Sequence, residues 1–152
     1  MQIRLDGEAA QSAFGRRIAG HLTPPLTVFL QGDLGTGKTT LVRGILRGLG
    51  HTGPVRSPTY TLLEPYELQD MHLYHLDLYR LGDPEELEYL GLRDLLDAES
   101  VLFVEWPERG AGVLPPPDLT VRIQHAGEGR ILESISNGVR GEGLVSHLSR
   151  NA

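Results

Sequence analysis

Residues 32–39 read Gly32-Asp33-Leu34-Gly35-Thr36-Gly37-Lys38-Thr39, a complete G-x-x-x-x-G-K-[ST] phosphate-binding pattern. Backbone that wraps closely around phosphate oxygens needs positive φ angles and no Cβ in the way. Successive N–H groups can then point inward at an anion. Lys38 is placed to reach the β- and γ-phosphates, and Thr39, in the first turn of the next helix, to offer its hydroxyl to Mg2+. The helix N-terminus adds partial positive charge at the same spot. The pattern therefore predicts a bound nucleoside triphosphate.

The flanks are of the kinds the loop requires. Leu26-Thr27-Val28-Phe29-Leu30 is a short apolar run with β-branched and aromatic members, which reads as a buried strand ending where the loop begins. Beyond the loop, Leu41, Val42, Ile45, Leu46 and Leu49 share one helical face, and Gly50 stands where a C-terminal cap belongs.

Further out, Gln2–Leu5 reads as a short strand and residues 8–21 as a helix, with Ala10, Phe14 and Ile18 on one face. Thr23-Pro24-Pro25 stops it. Extended segments are expected over residues 59–66 and 71–76, with Glu67-Leu68-Gln69-Asp70 as a hairpin turn between them. Asp83-Pro84-Glu85-Glu86 starts a helix that runs to Leu96 with a break near Gly91. Val101-Leu102-Phe103-Val104 is a second buried strand; residues 119–124 and 130–136 form a strand pair, and a short helix closes the chain over 143–149. These elements predict an α/β P-loop NTPase fold, three-layer α/β/α around a mixed central sheet, as one domain over residues 1–152.

Composition narrows the function classes. No apolar run approaches the roughly 20 residues that cross a bilayer, and Met1-Gln2-Ile3-Arg4 does not open a secretory signal peptide. A cytoplasmic protein with no membrane partner is expected. The absence of cysteine excludes disulfides, thiolate metal sites and cysteine catalysis. A net charge of −6 argues against unaided binding to DNA or RNA, because counterion release needs a basic surface. Arg16 and Arg17, and Arg43 and Arg47, read as solvated helix faces.

Hydrolysis needs a carboxylate near the metal and a group that orients water. Glu105 follows four apolar residues, the layout of a Walker B strand that delivers an acid at its C-terminal end. It would hold Mg2+ directly or through water. Asp77, in His75-Leu76-Asp77-Leu78-Tyr79-Arg80, has two readings: a group acting on the metal's outer shell or the attacking water, or a cap or ion-pair partner of Arg80. Ser57-Pro58-Thr59 is either a switch segment whose hydroxyl senses the γ-phosphate or a plain turn. His72 and His75 do not make a metal pair. Trp106 is a core residue or an aromatic packed beside the site.

Gly32–Thr40, Ser57-Pro58-Thr59-Tyr60-Thr61-Leu62, His75-Leu76-Asp77-Leu78-Tyr79-Arg80-Leu81 and Glu105-Trp106-Pro107-Glu108-Arg109 together closely resemble the bacterial TsaE (YjeE) family, from the P-loop to about Ile123. The resemblance implies an ATPase subunit of the machinery that places threonylcarbamoyl on adenosine 37 of tRNAs reading codons that begin with A. It implies TsaB and TsaD as partners, and contact with tRNA only through that complex. It also assigns phosphate contacts to Lys38, Mg2+ ligation to Thr39 and Glu105, roles in turnover to Thr40 and Asp77, and a place at the nucleotide to Trp106. Members commonly carry Thr or Ser near the adenine in the first helix, where this chain has Gln11, a departure at the base contact. ATP turnover in the family acts on the TsaB and TsaD assembly, and no second substrate pocket is legible here.

Two other readings compete. A small-molecule P-loop kinase would need an acceptor pocket and an arginine-bearing lid, for which Arg56, Arg80, Arg93 and Arg109 are available. A non-hydrolytic nucleotide-dependent binding module would use Glu105 only to hold Mg2+. A GTPase is disfavoured, because the chain has no Asn-Lys-x-Asp motif.

Overall fold

The computed structural model describes residues 1–150, whose strands form one seven-stranded sheet. In chain order these are β1 (Gln2–Leu5), β2 (Leu26–Gln31), β3 (Leu63–Glu67), β4 (His72–Asp77), β5 (Ser100–Glu105), β6 (Leu119–Ala126) and β7 (Gly129–Ser136). Across the sheet the order is β1-β7-β6-β2-β5-β4-β3. The centre, β6-β2-β5-β4, is parallel, and antiparallel strands flank it on both sides. The helices are α1 (Glu8–Ala19), α2 (Lys38–Gly48), α3 (Glu85–Tyr89), α4 (Leu92–Leu95) and α5 (Val139–Arg150).

Strand alternation divides the core into two faces. On β5, Val101 and Phe103 join the cluster under α1, α2 and α5, whereas Leu102 and Val104 join the one with Leu87 and Leu92 of α3 and α4. On β4, Leu73 goes to the first cluster and Leu76 to the second. The result is the three-layer α/β/α arrangement with a mixed sheet that the strand, loop and helix order predicts. The two innermost strands, β2 and β5, are almost wholly apolar until their ends, as strands covered on both faces require. Odd-numbered residues of β4 and β5 face α2, so His75, Asp77 and Glu105 all point toward the helix that carries the phosphate loop.

The P-loop helix ends as its sequence dictates. Gly50 N–H donates to Arg47 O (3.1 Å) and His51 N–H to Leu46 O (3.0 Å), a Schellman closure. Glu86 reaches back to the N–H groups of Gly82 (2.9 Å) and Asp83 (3.2 Å) at the start of α3, and Gly91 breaks α3 from α4 in the left-handed conformation. Leu68 N–H to Met71 O (3.0 Å) closes the expected hairpin.

Two segments differ from expectation. Residues 59–61, expected to extend, belong instead to a turn over 58–61. Pro58 pre-sets the turn, Leu62 N–H closes it on Pro58 O (2.9 Å), and Leu62 takes a left-handed φ of 71° before β3 begins. The last helix starts at Val139, four residues before the expected start. Gly141 and Gly143 weaken its helical signal, but Leu144 and Leu148 bury against the sheet and packing overrides propensity.

Helices α1 and α2 approach closely enough to need glycine at the contact. A Cβ on Gly15 would lie 2.5 Å from Leu41 O, and one on Gly44 would overlap Ser12 O. On an exposed helix, Gly→Ala stabilises by about 1 kcal/mol. Here Gly44→Ala is expected to do the opposite, destabilising by about 1–3 kcal/mol through overpacking, measured by urea unfolding.

Candidate functional site

The loop after β2 is held from three sides. Thr36 closes it internally, its hydroxyl and N–H both donating to Asp33 O (2.8 and 3.3 Å). Gln11, buried on α1, donates its amide to Thr36 O (2.7 Å) and Gly37 O (3.4 Å). From β7, Arg130 Nη2 donates to Gly35 O (3.2 Å). Gly35 and Gly37 take left-handed φ angles of 80° and 96°, and a Cβ on Gly37 would overlap the Gln11 amide. Among the described residues no side chain caps α2, so its first-turn N–H groups and dipole point outward at the loop's concave side.

Lys38 projects into that concavity. Its ammonium donates to Gly32 O and to Asp33 O (3.4 Å) and lies 4.3 Å from the centre of the Trp106 ring. Burial pulls the Lys38 pKa below that of an exposed lysine, while Glu105, Asp77, Asp33 and Glu108 act in the opposite sense. Trp106 itself has a left-handed backbone (φ 57°, ψ 50°), an uncommon state for a bulky residue that concentrates at functional sites. This turn swings the ring over Lys38 and against Tyr79, with ring centres 5.1 Å apart.

The carboxylates stand opposite. Glu105 is 3% exposed, and its Oε2 accepts from Thr39 Oγ1 (3.2 Å) and lies 2.6 Å from His75 Nε2. Asp77 is its register partner on β4. Asp77 Oδ1 accepts from Tyr79 N–H (3.0 Å), and Oδ2 from the Thr59 hydroxyl (3.4 Å), which in turn pairs with Ser57 (2.7 Å). Burial raises the Asp77 pKa above the usual carboxylate value; the Tyr79 N–H opposes this, and the Glu105 charge adds to it.

Leu34, Gly35, Thr36, Gly37, Lys38, Thr39, Thr40, Thr59, Asp77, Glu105 and Trp106 line one cavity of about 310 Å3. Of the residues proposed from sequence, Gly32 and Asp33 border the adjoining cleft and Gln11 lies behind the loop. Gln11, Gly35, Gly37 and Thr40, with Glu8, Glu128 and Arg130, line a second hollow of about 250 Å3 further along the loop. A third, of about 610 Å3, opens between Gly32, Trp106, Glu108, Arg122 and His125, a pocket that the sequence did not reveal. Sequence reasoning also missed Arg130 and the contact of His75 with Glu105. The strand period places His75 on the face of Asp77, but only the pairing of β4 with β5 brings it to Glu105.

The donor set suits a hard cation. A hydroxyl that gives its proton to Glu105 keeps its lone pairs for a metal, and Mg2+ is held by few protein oxygens plus substrate phosphates. Among the described residues no helix is long and apolar enough to cross a membrane.

The family model described as threonylcarbamoyl adenosine biosynthesis protein TsaE matches residues 5–132. The chain belongs to the TsaE family. It is 44% identical over 147 residues to the tRNA threonylcarbamoyladenosine biosynthesis protein TsaE of Haemophilus influenzae, covering 93% of each chain. It is 38% identical to that of Bacillus subtilis, covering 91% of this chain and 87% of the relative. The crystal structure of YdiB from Bacillus subtilis superposes with a TM-score of 0.85 at 32% identity, covering 99% of this chain and 95% of that one. Fold and family together make this a nucleotide-binding type of protein.

The Asp77 environment has a measurable sign. Folded Asp77 keeps its proton to higher pH than in the unfolded chain, so folding stability falls as pH rises from the ordinary carboxylate value through the raised one. Asp77→Asn is therefore expected to melt above the parent at pH 7, and the difference to vanish at pH values below the ordinary carboxylate pKa, in thermal scans across pH.

Proposed function

We propose that this chain is a Mg2+-dependent ATPase of tRNA threonylcarbamoyladenosine synthesis. It would work in the cytoplasm as a single P-loop domain with TsaB and TsaD, and meet tRNA only through that complex. The observation that carries the reading is the convergence of Lys38, Thr39, Asp77 and Glu105 on one cavity at the end of the parallel strands. The names of the relatives support the pathway.

In this reading the loop N–H groups and Lys38 bind the phosphates, with Thr40 beside them. The nucleoside lies in the hollow toward Glu8, Glu128 and Arg130. Gln11 acts on the nucleotide through the loop carbonyls that it braces. Thr39 and Glu105 hold Mg2+, which would polarise the terminal phosphate and offset its charge. Asp77 orients the attacking water: of the two carboxylates it is not tied to Thr39, and a raised proton affinity suits a base. Trp106 covers Lys38 and excludes water from that side.

Phosphate release from ATP alone tests the reading. Lys38→Ala is expected to abolish nucleotide binding, and Glu105→Ala to remove Mg2+-dependent turnover. Asp77→Asn should lower kcat by about 10²–10⁴-fold while leaving ATP affinity near the parent's. A pure binding module would show no turnover to lose.

The isolated chain is expected to turn over slowly and to accelerate when TsaB and TsaD are both added. Equal rates with and without them would sink the partner assignment. The cavity beside Gly32 and Trp106 gives the kinase reading its one structural support. Transfer of phosphate to a metabolite, with none released from ATP alone, would favour that reading.

A further inference from the structure

We infer that His75 is a positioning residue that holds the Glu105 carboxylate in the orientation in which it serves the cation at Thr39. The inference rests on the nucleotide-site reading above and adds a residue to it. His75 is 0% exposed, and its Nε2 lies 2.6 Å from Oε2 of Glu105, which borders the cavity from the buried side. The opposite ring nitrogen, Nδ1, is also buried and has no hydrogen-bond partner among the described residues.

That orphan atom assigns the tautomer. An N–H at Nδ1 would be an unmet buried donor, at a cost of about 1–3 kcal/mol. A bare lone pair there is the milder state, so the proton sits on Nε2 and the ring donates to Glu105. Glu105 Oε2 then receives two donors, His75 from β4 and Thr39 from α2. A glutamate tip has three rotatable bonds, and these two donors from different elements pin it. A ring N–H that orients a metal-side carboxylate is a recurrent outer-shell device, and its loss costs about 10–100-fold in metal affinity.

A histidine that only filled core space would behave differently, because an apolar side chain of similar size would replace it. The test uses the full chain, with Mn2+ in place of Mg2+ and a non-hydrolysable ATP analogue, and counts free Mn2+ by electron paramagnetic resonance. His75→Leu is expected to weaken Mn2+ binding about 10–100-fold while analogue affinity in EDTA stays at the parent value. His75→Gln, whose amide nitrogen reaches the place of Nε2, should retain Mn2+ affinity. His75→Asn, one bond shorter, should not. If the Leu variant does not fold, the Gln and Asn pair decides.

Mn2+ affinity equal to the parent's in His75→Leu, or in both amide variants, overturns the inference. A parent that binds no Mn2+ with the analogue overturns the nucleotide-site reading itself, and this inference with it. Long-range proton–nitrogen NMR of the metal-free protein gives an independent readout: the Nε2–H tautomer is expected, and an Nδ1–H tautomer overturns the assignment.

Discussion

One row of the parallel sheet organises the molecule. Leu30 of β2 pairs with Glu105 of β5, and Glu105 with Asp77 of β4. This backbone register puts the last residues of β4 and β5 in line with the penultimate residue of β2, at the carboxyl ends of the strands, where open α/β sheets bind ligands. From that line the chain leaves β2 into the phosphate loop, and β5 and β4 each deliver a carboxylate. A one-residue slip of any of these strands would turn its terminal side chain to the α3 and α4 face. The apolar alternation of Val101 to Val104 between the two core clusters resists that slip.

The same line concentrates ionisable groups where burial is costly. Lys38, Asp77, His75 and Glu105 are all buried, and each side chain touches or faces another member of the group. Charges held this way persist when they are paired and hydrogen-bonded. Here the pairing is shared: Thr39 and His75 serve Glu105, Tyr79 N–H and Thr59 serve Asp77, and carbonyls and the Trp106 ring serve Lys38. The left-handed backbone at Trp106 and the raised proton affinity of Asp77 are local destabilisations carried by a rigid sheet.

Much of this was legible from residue order. The phosphate loop, its strand and its helix follow from a pattern with a stated chemistry, and the apolar run ending at Glu105 marks a buried strand that hands over an acid. Asp77 was visible as a candidate but not as a role, because a lone Asp beside Arg80 reads equally as a cap. A turn was one of the two readings of Ser57-Pro58-Thr59, but its run to residue 61 was hidden by the β-forming side chains of Thr59, Tyr60 and Thr61, whose propensity yields to Pro58 and to the left-handed Leu62. That turn brings Thr59 to Asp77. Gln11 stood out only as a departure near the base and not as a brace, and Arg130 gave no signal at all, since a brace on a loop carbonyl has no sequence pattern of its own.

The sequence by itself determined the phosphate loop, the strand-and-helix alternation and the family, because these depend on local periodicity and on glycine, lysine and threonine at fixed spacing. Only the tertiary structure decided which distant residues share the cavity. The meeting of Thr39, His75 and Glu105 is created by β4 pairing with β5 and by α2 packing over both. The bracing of the loop by Gln11 needs α1 to lie against α2 at glycine distance. Those are contacts between elements far apart in the chain, set by register and close packing, and no local rule encodes them.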